Sequence, residues 1–180
     1  TYLVTISGGD LASFNGTVGL DLSAGQNITD YVGNPLPAGE PATDQVYTLD
    51  NAAPTVTINN PDTLPALSKT ITASTSDGTL SMSNNTTGTC DGTLTFVAYA
   101  SQTFTAEADN GTYVCYRAVD ALGNTGYSLS AAIAGIDTTA PAITITNPNT
   151  DPATSKTITA STSDGTLSMS NNTTGTCDGT

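Results

Sequence analysis

The sequence predicts an all-β protein built from tandem antiparallel β-sandwiches, and three observations carry that expectation. Residues 68–93 and 155–180 are letter for letter the same, at an offset of 155 − 68 = 87. A period of this size is one small domain repeated along the chain. Thr supplies 36 of 180 residues, while charged types make up only 11%; β-branched Thr suits a half-exposed pleated strand. Short runs of alternating apolar and polar residues recur, and no stretch sustains a helical period.

Taken in order, the runs predict strands at 2–6, 17–22 and 46–49, then at 55–58, 69–73, 79–82, 94–99 and 113–119, and finally from 127 through 136. Clusters of turn formers separate them, at Asn59-Asn-Pro-Asp62, Ser76-Asp-Gly78, Asp109-Asn-Gly111 and 120–124. The regular alternation of Val, Ile, Leu and Tyr argues against disorder despite the polar composition. The period divides the chain into the later part of one repeat (1–53), one whole repeat (54–139) and the early part of another (140–180). Residue 1 falls at about repeat phase 88 and residue 180 at phase 180 − 87 = 93. The two partial repeats are therefore expected to complete one another between neighbouring chains or along a continuing polypeptide. Complementation between chains leaves Cys177 without a partner, because 1–53 contains no Cys.

Sixteen acidic residues against Lys69, Arg117 and Lys156 give a net charge of −13. Nucleic-acid binding needs a basic footprint, and this chain offers none. Anionic membrane surfaces are disfavoured on the same ground, and no apolar run is long enough to span a bilayer. The chain contains no His, which removes the usual base and nucleophile partner at neutral pH. With no Trp and 3 Phe, the aromatic walls of a glycosidase are missing as well. The Gly8-Gly-Asp10 step reads as a turn and not a phosphate cradle. A non-enzymatic role is the expectation.

Cys90 and Cys115 lie 25 apart in the whole repeat, and Cys177 is the 87-residue echo of Cys90. The echo of Cys115 would fall at 115 + 87 = 202, outside the chain. One disulfide per repeat is the economical expectation, Cys90 with Cys115, and it implies an oxidising compartment.

The stretch Asp109-Asn-Gly-Thr-Tyr-Val-Cys115-Tyr-Arg-Ala-Val-Asp120 resembles the sixth strand of immunoglobulin-type sandwiches, with a Tyr two residues before the Cys as in a tyrosine corner. Together with Asp120-Ala-Leu-Gly-Asn124 and the linker Asp137-Thr-Thr-Ala-Pro141, it resembles the bacterial Ig-like repeats of long surface adhesins. Asp30-Tyr-Val-Gly-Asn34 and Asp50-Asn-Ala-Ala-Pro54 repeat the two motifs upstream. The resemblance implies an extracellular, cell-surface location. One departure matters: Cys90 follows the third strand, whereas an antibody domain places its first Cys on the second, so this bond need not cross the core.

Two further expectations concern chemistry. Oxygens from Asp50, Asn51, Asp77, Asp120 and Asn124 are expected to converge where the linker enters the whole repeat, with Asp137 and Asp164 at the next junction. Such a cluster suits Ca2+, which takes 6–8 hard oxygen ligands, and the resemblance implies junction calcium that stiffens a rod. The competing reading is that these residues cap their own turns. Lys69 is expected to face solvent, the alternative being an isopeptide bond to a buried Asn or Asp. Tyr99, Tyr113, Tyr116 and Tyr127 are expected in core or interface and not as a sugar platform. Sequons at Asn15, Asn27, Asn84, Asn85, Asn110, Asn171 and Asn172 mark surface glycosylation as a further possibility. The functional expectation is an extracellular rod or filament whose partners are neighbouring copies or repeats. The alternative is a calcium-dependent module that grips a glycan or host surface.

Overall fold

The computed structural model describes residues 9–19, 25–36, 46–171, 173 and 175. The strand expected at 2–6, part of that at 17–22, Asn172 and Cys177 lie outside the described residues. The chain divides into two compact units, 1–136 and 137–180, each taken here by itself.

Among the described residues all paired strands are antiparallel, and helical structure is limited to 3-10 turns at Gly9–Ser13 and Glu107–Asp109. In the first unit, β1 (Gly16–Gly19) pairs with β2 (Val46–Leu49). Seven strands follow in the segment read as the whole repeat: β3 (Val56–Asn59), β4 (Lys69–Thr75), β5 (Thr79–Asn85), β6 (Val97–Ala98), β7 (Gln102–Phe104), β8 (Tyr113–Val119) and β9 (Thr125–Leu129). They form two sheets, ordered β3-β4-β7 and β6-β5-β8-β9.

One core lies under both sheets. Ile71 and Phe104 enter it from the first sheet, Val114 and Tyr116 from the second, and Ile133 and Ile136 from the segment after β9. Val56, Ile58, Leu80, Met82 and Tyr99 pack around them. The period of two along β8 explains the division: Val114, Tyr116 and Ala118 are buried on the inner face, so Tyr113, Cys115 and Arg117 project from the outer one. Tyr113 therefore lies on the outer face, and the Tyr-x-Cys spacing does not build a core-side tyrosine corner.

Two strand expectations are corrected, and one strand is added. The run 94–99 is extended only at Val97–Ala98, because the Asp91 carboxylate accepts Thr93 N–H (2.9 Å) and Thr93 Oγ1–H (2.5 Å) and curls the chain ahead of Phe96. The segment 130–136 is irregular. Buried Ser130 takes Val114 N–H at 2.8 Å, Ala131 N–H goes to Asn60 Oδ1 at 2.9 Å, and Ile136 ends in a parallel bridge to Ala66. The three-residue strand β7 was not anticipated, being too short to show alternation.

Lys69 is also corrected. It is 4% exposed, and its ammonium donates to Asp62 Oδ1 at 2.7 Å and Leu64 O at 2.5 Å. A strand-start position with its neighbour Ile71 fully buried draws the aliphatic stem inward and leaves the head to find local oxygens. Hydrogen bonding from Lys69 and Leu64 N–H, with the nearby positive charge, lowers the Asp62 pKa.

The second unit repeats the first hairpin of the whole repeat. β10 (Ile143–Thr146) pairs with β11 (Thr159–Thr162) in the register Ile143↔Thr162, which is Val56↔Thr75 moved by 87. The side-chain bonds move with it. Thr55 N–H donates to Ser76 Oγ and Ala142 N–H to Ser163 Oγ, each at 2.9 Å; Thr75 Oγ1 and Thr162 Oγ1 each reach the Asp carbonyl two residues on at 2.6 Å.

Tyr116 carries a cost. It is fully buried beside Tyr99, with ring centroids 6.1 Å apart, and its hydroxyl has no hydrogen-bond partner. Burial, with a smaller effect of Tyr99, pushes its pKa up to about 12. A raised tyrosine pKa holds the folded form neutral, so stability is full below the unfolded value near 10 and falls as pH rises from there toward 12. Tyr116→Phe is expected to raise stability by about 1–3 kcal/mol, the desolvation cost of an unpaired buried group. It should also remove part of the alkaline loss, as denaturant titrations at neutral pH and above pH 10 would record.

Candidate functional site

Two places gather the residues singled out by sequence. The first is the linker 50–54. Its Asn51 N–H donates to Asn15 Oδ1 at 2.5 Å, and Asn51 Nδ2 to Leu11 O (3.2 Å) and Phe14 O (2.7 Å), all in the segment that precedes it. From the other side, Asn124 Nδ2 donates to Asp50 O at 3.0 Å. Pro54 is buried, and a side-chain carbon at Gly126 on β9 would overlap its carbonyl oxygen. Consecutive linker residues are thus held from both flanks.

Asn124 is positioned by Asp120. The Asp120 carboxylate accepts Leu122 N–H (2.9 Å), Asn124 N–H (2.8 Å) and Asn124 Nδ2–H (2.8 Å), closing the β8–β9 turn. Asp30 makes the same three bonds to Val32 and Asn34, at 3.0, 2.8 and 2.7 Å. The two Asp-x-x-Gly-Asn motifs are therefore one turn made twice. Burial acts to raise the Asp120 pKa, but the bonds from Asn124, Leu122 and Gly123 outweigh it and leave the pKa lowered. A depressed carboxylate contributes stability that is present above its unfolded value near 4 and lost as pH falls through the folded one. Asp120→Asn is expected to flatten that acid limb in a pH series of denaturant melts.

Asp77 belongs to the adjoining turn. Gly78, at φ 72°, has the left-handed backbone that favours glycine, and a side-chain carbon there would stand 2.2 Å from Val119 O and 2.7 Å from Asp120 Cα. The three segments named for calcium thus do meet at one end of the two sheets. Their side-chain oxygens, however, face their own backbones: Asp50 takes Ala52 N–H (3.0 Å) and Asp77 takes Gly78 N–H (2.6 Å). In the second unit Asp137 takes Thr139 N–H (3.1 Å) and Asp164 takes Gly165 N–H (2.6 Å). Among the described residues, no three His, Cys, Asp or Glu side chains form a group able to hold a metal ion.

The second place is the outer face of the β6-β5-β8-β9 sheet, which gathers Cys90, Cys115, Tyr113 and Tyr127 and adds Phe96 and Arg117, a pair that sequence reasoning did not single out. Cys90 and Cys115 are bonded, with Cα atoms 5.1 Å apart. Cys115 sits on the central strand β8, flanked by Ser83 on β5 and Leu129 on β9. The bond therefore draws the loop 86–96 onto one sheet instead of joining two. Asn85 shapes the loop, accepting Thr87 and Thr89 N–H at 3.2 Å each and donating to Thr89 O at 2.9 Å. A side-chain carbon at Gly88 would come into contact with Tyr113 and Leu129. Further along, the Phe96 ring stacks under the Arg117 guanidinium, 4.3 Å from the ring centroid, and lies 6.0 Å from the Tyr127 ring. Nearby sequons are partly committed: the amide nitrogens of Asn85 and Asn110 donate to Thr89 O and Ile136 O.

No protein-family model, curated protein or solved structure matches this chain.

Proposed function

We propose that this chain is a stretch of tandem Ig-like β-sandwiches, about 87 residues each, serving as an extracellular spacer or stalk on a bacterial surface. It would act without catalysis, its partners being neighbouring repeats or copies. The observation that carries the reading is the β10–β11 hairpin, which reproduces β3–β4 at +87 in register and side-chain bonds, with identical sequence through its second strand and similar sequence in its first. Strand order supports it too. The first, second and fifth strands of the whole repeat share one sheet and the third, sixth and seventh the other, as in immunoglobulin-like sandwiches, while the fourth strand joins the second sheet instead of the first. The disulfide suits an oxidising compartment, and no helix among the described residues is long and apolar enough to cross a membrane. A linker pinned by Asn51 and Asn124 gives such a spacer a defined junction between successive units.

Pulling on single molecules tests the mechanical role. The disulfide shields a segment of sequence separation 25 from load. Reduction is expected to lengthen the unfolding step of the whole repeat by about 80 Å, from roughly 3.3–3.6 Å per extended residue. A featureless extension at low force would count against a load-bearing spacer.

A calcium-stiffened junction is the second form of this reading, favoured by the meeting of the Asp50, Asp77 and Asp120 segments at one end of the sheets. In that form added Ca2+ raises the melting temperature and EDTA reverses the rise. No change would leave the junction to its hydrogen bonds.

A further inference from the structure

The outer face of the β6-β5-β8-β9 sheet holds a cation that the spacer reading does not use. Of three cationic side chains, Lys69 is paired with Asp62 and Lys156 donates to the Asn149 carbonyls at 2.5 and 3.0 Å. Arg117 is different. Its Nε donates to Ser81 Oγ at 3.2 Å and its plane rests on Phe96. Among the described residues no carboxylate pairs with it, in a chain that carries 16 of them. The half-buried guanidinium is thereby fixed in orientation while the outer edge of its fork stays free, the edge that matches a carboxylate in a bidentate pair.

The surroundings narrow the ligand. Tyr127 lies beside Phe96, is 41% exposed, and is on the same face of the sheet as its cross-strand partner Arg117. It offers an apolar ring with a polar tip at the site's edge. The Cys90–Cys115 bond anchors the loop that carries Phe96, so the arrangement is preorganised. A carboxylate on a compact body with one apolar face fits this pairing. A second copy of the chain fits less well, because each copy brings a net charge of −13.

We infer that Arg117, Phe96 and Tyr127 form a binding site for a carboxylated sugar, the guanidinium pairing with the carboxylate and the Tyr127 ring lying against the apolar face of the sugar. The site uses no metal and does not depend on the chain's role as a spacer.

The test is a titration of the oxidised 180-residue chain with glucuronate, followed by amide and Arg side-chain NMR, with glucose and acetate as controls. Glucuronate is expected to move Arg117 Nε–H, Tyr127 and neighbouring Gly92, where a side-chain carbon would stand 3.2 Å from the Tyr127 hydroxyl, while glucose leaves them in place and acetate moves Arg117 alone. Arg117→Gln should weaken binding about tenfold or more, as for a lost charge-assisted pair, and Tyr127→Ala should weaken it with the disulfide intact. Should Arg117→Gln fail to fold, Arg117→Lys keeps the charge, removes the fork and is expected to lose most of the affinity. Absence of any shift, equal effects of acetate and glucuronate, or full binding by Arg117→Gln would each overturn the assignment. So would concentration-dependent self-association that Arg117→Gln abolishes, which would give the carboxylate to a second copy.

Discussion

Replacing Ile71 by alanine is expected to destabilise the first unit by about 2–5 kcal/mol, while Ile158→Ala leaves stability almost unchanged. The two residues stand in identical sequence, SKTITAST, 87 positions apart. Ile71 is 0% exposed, under Val114, Tyr116 and Ile133 in the common core. Ile158, one residue before β11 in the second unit, is 64% exposed. Removing a buried aliphatic side chain loses its transfer free energy and leaves a cavity the surroundings only partly fill. Removing an exposed one does neither. Local propensity is the same for both, so the difference isolates what the covering strands β7 and β8 add. Chemical denaturation of each variant, followed through a probe in each unit, would measure it; equal losses would refute the packing described for Ile71.

Removing the disulfide through the paired change Cys90→Ala and Cys115→Ala is expected to cost roughly 3 kcal/mol, the chain-entropy value for a loop of this length. The bond lies on the outer face of one sheet, so the core under Ile71 and Tyr116 should survive. The loss should instead appear first in the loop 86–96, as faster amide exchange at 87–94 and a weakened Phe96–Arg117 contact. A bond joining the two sheets would behave differently, loosening both together. Exchange that accelerates equally across β3, β4 and β8 would therefore contradict the placement of the bond.

Much of this arrangement was legible in the letters because alternation and turn chemistry are local. The run Tyr113–Val119 stands in the sequence as a short, mostly apolar stretch between turn formers and is β8 to the residue. The hairpin β3–β4 and the twin Asp-x-x-Gly-Asn turns were readable for the same reason, and the pairing of Cys90 with Cys115 from the 87-residue echo that accounts for Cys177. What escaped depends on partners distant in sequence. Nothing near Lys69 says that it will be buried, since that follows from β4 lying inside its sheet beside β7. Nothing near Arg117 says that Phe96, 21 positions earlier (117 − 96 = 21), will lie beneath it. The parity of β8 was also invisible: Cys115 and Val114 are both fully buried, and only the core contacts show which face each serves. The candidate calcium oxygens were legible both as a convergence of segments and as caps of their own turns; which way each side chain faces follows only from the folded loops.

The reading of like units in tandem is tested most directly by extending the chain with a second copy of residues 94–139 after Thr180, which supplies the strands that cover Ile71 in the first unit. The account expects the added segment to fold onto β10–β11, bury Ile158, and bond Cys177 to the new copy of Cys115. Ile158→Ala should then cost as much as Ile71→Ala. An extended chain that keeps Cys177 as a free thiol and tolerates Ile158→Ala unchanged would contradict it.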